Sequence, residues 1–138
     1  MPFRVEIDPE RRRALVEIDG TVTAAVVMEA MEELFGNPQW QPGYDGLWDC
    51  SGIQQLVMDP ADLGALVALA TSLAPRIGTG RGAFVLTRDL DSMMAALVVY
   101  RSRPSDRDRR VFRTREEAVA WLDGVDPHGG TAMGKAAV

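Results

Sequence analysis

The side chains able to do covalent chemistry are few and poorly placed for it. Cys50 and Ser51 stand together at a strand end, as a nucleophile would, but a thiol or hydroxyl needs a neighbouring base to activate it. The single histidine, His128, and the single lysine, Lys135, both lie near the C-terminus. Cys50 therefore reads as a buried structural cysteine. One His and one Cys far apart lack the spacing of transition-metal ligands, and the aspartates show no calcium-loop pattern, so no metal or other cofactor is expected. The run Gly78-Thr79-Gly80-Arg81-Gly82 looks like a phosphate cradle, yet it follows a helix and precedes a strand. No helix N-terminus would back its amides, and it reads as a flexible helix-to-strand connection. The expectation is that the chain is not an enzyme.

Three other features bear on binding. Asp59-Pro60-Ala61-Asp62 is a well-signalled helix start: Asp59 can cap free amides, Pro60 suits the first helical position and Asp62 adds negative charge to the first turn. In an open α/β sheet such a start borders the crevice where binding usually happens. The run from Arg101 to Arg110 holds five Arg and two Asp, a local balance of +3 in an acidic chain. It reads as a solvated loop, with Arg101, Arg103 and Arg107 as candidates for meeting an anionic group on an acidic partner, a phosphorylated metabolite or a lipid headgroup. The run Met93 to Tyr100 is apolar on more than one helical face. A second copy of the chain, a ligand against the methionines, or a neighbouring helix could cover the surplus. Asp59, Asp62, Met93, Met94, Leu97 and Tyr100 are thus the candidate partner-binding residues. Trp40, Trp48 and Trp121 fall on a loop, a strand and a terminal helix, which favours packing over a stacking platform.

The elements that would position these residues follow from periodicity. Phe3 to Ile7 alternates with period two, Leu15 to Ile18 less cleanly, and Asp8-Pro9-Glu10 starts the turn of a hairpin. Gly20 to Thr23 leads into a helix with Val27, Met31, Leu34 and Phe35 on one face, stopped by Gly36-Asn37-Pro38. Tyr44 to Cys50 reads as a strand, followed by a short connection to the Asp59 helix, whose face is Leu63, Leu66, Val67, Ala70 and Leu73 and whose end lies between Pro75 and Gly78. Gly82 to Thr87 has the continuous apolar pattern of a strand covered on both faces. Asp89-Leu90-Asp91 opens a third helix. Arg110 to Arg113 is a brief last strand, and Thr114-Arg115-Glu116-Glu117 matches a capping box before a helix carrying Ala118, Trp121 and Leu122. The result is an α/β fold: an N-terminal β-hairpin, then strand-helix units in a five-stranded, mostly parallel mixed sheet with four helices. Residues 1–124 read as one domain and 125–138 as a disordered tail.

Composition sets the outer limits. A chain of 138 residues with 46% hydrophobic content builds one sizeable core, and 25% charged residues with a net charge of -5 place it among ordinary soluble proteins. That charge disfavours nucleic-acid binding. The lone cysteine fits a reducing cytoplasm, no secretory signal is visible, and no apolar stretch approaches the roughly 20 residues of a membrane span.

Taken together, Tyr44 to Gly52, Asp59 to Leu63, Arg81 to Val85 and Val111 to Leu122 resemble the SpoIIAA-like branch of the STAS superfamily, which overlaps in fold with lipid-binding CRAL-TRIO domains. The resemblance runs from Phe3 to Gly124, and it rests on element order more than on any short string. It implies a small bacterial, cytoplasmic, noncatalytic module that binds protein partners or small ligands, while the surplus apolar surface of Met93 to Tyr100 leaves a homodimer open. It also implies an alternative, a carrier of a small apolar or anionic ligand in a cavity between the second and third helices. In the sporulation-type antagonists a serine at the start of the second helix is phosphorylated. The matching stretch here, Asp59-Pro60-Ala61-Asp62, has no hydroxyl.

Overall fold

The computed structural model describes residues 2–86, 109–124 and a strand at 131–133. In chain order the elements are β1 (Phe3–Asp8), β2 (Arg13–Thr23), α1 (Ala24–Phe35), β3 (Asp45–Val57), α2 (Pro60–Ile77), β4 (Gly82–Val85), β5 (Arg109–Phe112), α3 (Arg115–Leu122) and β6 (Thr131–Met133). All six strands form one sheet in sequential order. The pairings β2–β3, β3–β4 and β4–β5 are parallel, while both edges, β1–β2 and β5–β6, are antiparallel.

The sheet is therefore mixed, as expected, but it has six strands rather than five. The added strand, Thr131–Met133, falls in the segment read as a disordered tail, where three residues are too few to show any periodicity. Three helices lie among the described residues; the expected helix over Met93 to Tyr100 lies outside them. The last parallel strand begins at Arg109, one residue earlier than its apolar pattern suggests, so Arg109 and Arg110 belong to the sheet and not to a solvated loop.

The largest difference lies in β3. It continues through Ser51 to Val57, the stretch read as a connection, and pairs with β2 to its end. The register of that pairing shifts twice, between Glu17 and Asp19 and between Gly20 and Thr21, each time with an extra residue in β3. Bulges of this kind break period-two alternation and bend the strand. That is why the second half of β3 does not look like a strand.

Side-chain alternation divides the core into two layers. Phe3, Val16, Ile18, Trp48, Cys50 and Val111 face α1 and α2, meeting Met31, Leu34, Phe35, Ala70 and Ile77. On the opposite face Leu47, Ala83, Val85 and Phe112 meet Ala118, Trp121 and Leu122 of α3. Thr23 caps α1, with the Val26 amide 3.4 Å from its hydroxyl. The ends of α1 and α2 are joined by Arg76, whose guanidinium donates to the carbonyls of Phe35, Asn37 and Trp40 at 2.8–3.0 Å. The fully buried Trp40 indole returns a bond of 2.8 Å to the Arg76 carbonyl.

The glycines after α2 are set against backbone. A Cβ at Gly80 would lie 2.4 Å from the Tyr44 carbonyl oxygen, whereas one at Gly64, within α2, meets nothing within 4 Å. Gly80→Ala is expected to destabilise the fold by about 1–3 kcal/mol through overpacking. Gly64→Ala is expected to stabilise it by about 0.5–1 kcal/mol through helix propensity. Urea unfolding of the two variants checks both signs.

Candidate functional site

Because β2 and β3 run parallel and end together, with Thr23 opposite Val57, they deliver the starts of α1 and α2 side by side. At the start of α2 the expected capping is present in full. Asp59 Oδ1 accepts from the Asp62 amide at 2.8 Å, and Asp62 Oδ2 accepts from the Asp59 amide at 3.0 Å, with Pro60 in the first turn. Both carboxylates thus do capping work, and Asp59 is exposed. Two residues before Asp59 stands Val57, 48% exposed, the one large apolar side chain so exposed among the described residues. The outward face of the first turns of α2 continues this surface with Ala61, Gly64 and Ala65, all small and exposed.

Of the candidate residues named from sequence, only Asp59 and Asp62 are therefore brought together. Met93, Met94, Leu97, Tyr100, Arg101, Arg103 and Arg107 lie outside the described residues. Arg110 and Arg81 lie over the Trp121 ring, at 5.3 and 5.0 Å from its centroid, and the Arg81 guanidinium also donates to the Trp121 carbonyl at 2.7 Å. The tryptophans pack as expected: Trp48 stacks on Phe84 at 6.5 Å and Trp121 meets Phe112 at 5.7 Å.

A second polar group was not anticipated from sequence. Arg4, Glu17 and Asp49 occupy one row across β1, β2 and β3, on the face that α3 covers. Arg115, the first residue of α3, donates to Asp49 Oδ2 from Nε at 2.9 Å and from Nη2 at 2.7 Å, and to Glu17 Oε2 at 2.7 Å. Arg4 pairs with the other oxygen of Glu17. The remaining oxygen of Asp49 accepts from the Ser51 amide at 3.0 Å and the Ser51 hydroxyl at 2.6 Å. The sequence carried a signal: a carboxylate inside an apolar strand needs a buried partner, and a cation at a helix N-terminus opposes the helix dipole unless something else holds it.

The charges follow from these contacts. Burial acts to raise the Asp49 carboxyl, but the Ser51 and Arg115 hydrogen bonds outweigh it and hold the group below the usual carboxylate range. For Glu17 the Arg115 hydrogen bond dominates, with Arg4 assisting against desolvation, and its carboxyl is also lowered. The same bonds raise Arg115. The Cys50 thiol is wholly enclosed, and burial, with the adjacent Asp49 charge, pushes it up to about 12. Among the described residues no group of His, Cys, Asp and Glu is arranged to hold a metal ion, and no helix is long and apolar enough to cross a membrane.

No family model matches the chain, and no curated protein matches it in sequence. Solved structures similar in fold include the following two. One is an uncharacterised protein of the DUF3478 family with a SpoIIAA-like fold from Shewanella loihica, at 14% identity and a TM-score of 0.56, covering 87% of this chain and 93% of that one. The other is the anti-sigma factor antagonist SpoIIAA in its unphosphorylated form, at 14% identity and a TM-score of 0.50, covering 89% of this chain and 99% of that one. At this identity the likeness shows the fold, and the chain has the SpoIIAA-like α/β fold that the order of its elements suggests.

Two expectations follow from the buried groups. Lowered carboxyl groups bind fewer protons in the folded state than in the unfolded one. Their stabilisation is present at neutral pH and is lost as pH falls below about 4. Arg115→Gln should cost about 1–2 kcal/mol at pH 7, a figure reduced for the partial exposure of the arginine, and should flatten the acid limb of a stability-against-pH curve from urea unfolding. Cys50 should resist an aromatic disulfide reagent in the native protein and react at once in denaturant, as followed by absorbance.

Proposed function

We propose that the chain is a noncatalytic regulatory or protein-interaction module that docks a protein partner where β3 runs into α2. The observation that carries this reading is Val57, an exposed apolar side chain beside the Asp59–Asp62 cap and the small-residue face of α2. An apolar centre with a charged rim and small neighbours admits close approach of another surface. The similarity in fold to an anti-sigma factor antagonist supports a role exercised on other proteins. Because no hydroxyl stands between Asp59 and Asp62, the negative charge at this helix start is built in. Docking there is constitutive, without a phosphate switch at that position.

The noncatalytic part of the reading draws support from the chemistry of the groups present. Cys50 is enclosed and held as a thiol, and the Ser51 hydroxyl is hydrogen-bonded to a carboxylate that is a weakened base. A reducing bacterial cytoplasm suits the unpaired buried cysteine.

The test compares the native chain with Val57→Asp and Asp62→Asn as baits in cell extract. Asp62→Asn keeps an acceptor for the Asp59 amide while removing a charge, so the cap survives. A specific protein retained by the native chain and reduced roughly tenfold with either variant is the expected result. Equal retention by both variants would remove this surface. A small molecule released from the purified protein in native mass spectrometry would favour the carrier reading instead.

A further inference from the structure

The outer edge of β1 has no strand beside it among the described residues. Edge strands usually carry charges that discourage pairing. Here the charges are arranged so that the strand complements itself. The Asp19 amide donates to the Pro2 carbonyl at 2.9 Å, which fixes the alternation: even-numbered residues of β1 turn their N–H and C=O groups toward β2. Phe3, Val5 and Ile7 therefore turn theirs outward.

We infer that β1 pairs antiparallel with β1 of a second copy of this chain, about a two-fold axis at Val5, joining two sheets into one. In that register Val5 faces Val5, Phe3 faces Ile7, and every outward N–H and C=O of these three residues finds a partner. The same register sets Arg4 opposite Glu6 and Glu6 opposite Arg4. These are the pairs without hydrogen bonds between them, where side chains come closest. Any one-residue slip destroys this match by facing Arg4 with an apolar residue. Arg4 and Glu6 are 63% and 56% exposed and pair with each other at 3.5 Å within the strand, a solvent-exposed contact that the facing copy's opposite charges can replace. On the opposite face Val5 and Ile7 are only half-buried against the core, and the facing row would cover them. An open groove of about 680 Å³, lined by Phe3, Arg4, Val5, Glu17, Asp19 and Glu33, leaves room beside the strand for approach.

The test is sedimentation velocity across the micromolar range on the native chain and three variants. Val5→Pro removes an outward N–H without touching the β1–β2 ladder. Glu6→Arg and Arg4→Glu each place like charges across the axis, and a mixture of those two variants restores the opposite-charge pairs. Circular dichroism confirms that each variant is folded, and Val5→Pro and Glu6→Arg decide the matter if Arg4→Glu unfolds through loss of its Glu17 contact. The expected result is a native dimer that weakens roughly tenfold or more in each single variant and returns as a heterodimer in the mixture. A native chain that stays monomeric throughout, or a dimer indifferent to Val5→Pro and Glu6→Arg, would overturn the inference.

Discussion

A carboxylate in the middle of the central strand must be neutralised where it stands. Asp49 is 9% exposed, and its side chain points into the layer between the sheet and α3. Leaving such a charge unpaired costs far more than the pair itself contributes. Arg115 supplies the counter-charge from the first turn of α3, where the helix dipole disfavours a cation, so the local preference yields to the tertiary one. The position of α3 follows from this. Eight residues are too few to hold a helix by propensity, and this one is fixed at both ends by arginine. Arg115 holds the start, while Arg81 on the Trp121 carbonyl and Arg13 on Asp123, at 2.6 Å, hold the finish. Between those ends Ala118, Trp121 and Leu122 close the apolar face of Leu47, Ala83, Val85 and Phe112.

The opposite face is built on another principle. There, helices of twelve and eighteen residues present apolar stripes long enough to cover the sheet by burial alone. At the far ends of α1 and α2, Arg76 adds donors to three carbonyls, those of Phe35, Asn37 and Trp40. The Trp40 ring, edge-on to Phe35 at 5.1 Å and to Tyr44 at 5.6 Å, fills the space beneath. Breaking one contact on this side leaves many others, whereas on the α3 side a few charge-assisted bonds carry the placement.

This difference explains what could be read from the sequence. The hairpin, α1, the α2 start with its Asp59–Asp62 cap, and the apolar strand at Gly82 were legible because each rests on local pattern: alternation, helical spacing or a capping pair. The second half of β3 was hidden by its two bulges, since Gly52 and Gln55 fall out of step with Asp19 and Thr21 of β2. The Thr114 cap was half-legible. Its hydroxyl accepts from the Glu117 amide at 3.2 Å, but the Glu117 carboxylate meets that same hydroxyl instead of closing the reciprocal bond. The Arg4, Glu17, Asp49 and Arg115 group was not read, because Glu17 and Arg115 alone lie 98 positions apart and only the strand register brings the four together.

The same register also separates Asp49 and its ion pairs from the candidate docking surface. From Gly46 to Asp49, β3 has neighbours on both sides, and there it carries the charge that fixes α3. Beyond the first bulge it pairs, among the described residues, with β2 alone, and this extension ends in Val57 and the α2 cap. Asp19 lies against Gly52 on this extension, so closely that a Cβ there would overlap its carboxylate. A side chain at position 52 would therefore have to turn the exposed Asp19 carboxylate aside. The extension holds an exposed surface away from the α3 layer, so that surface can vary in sequence without disturbing the charges that hold the sheet and its short helix together.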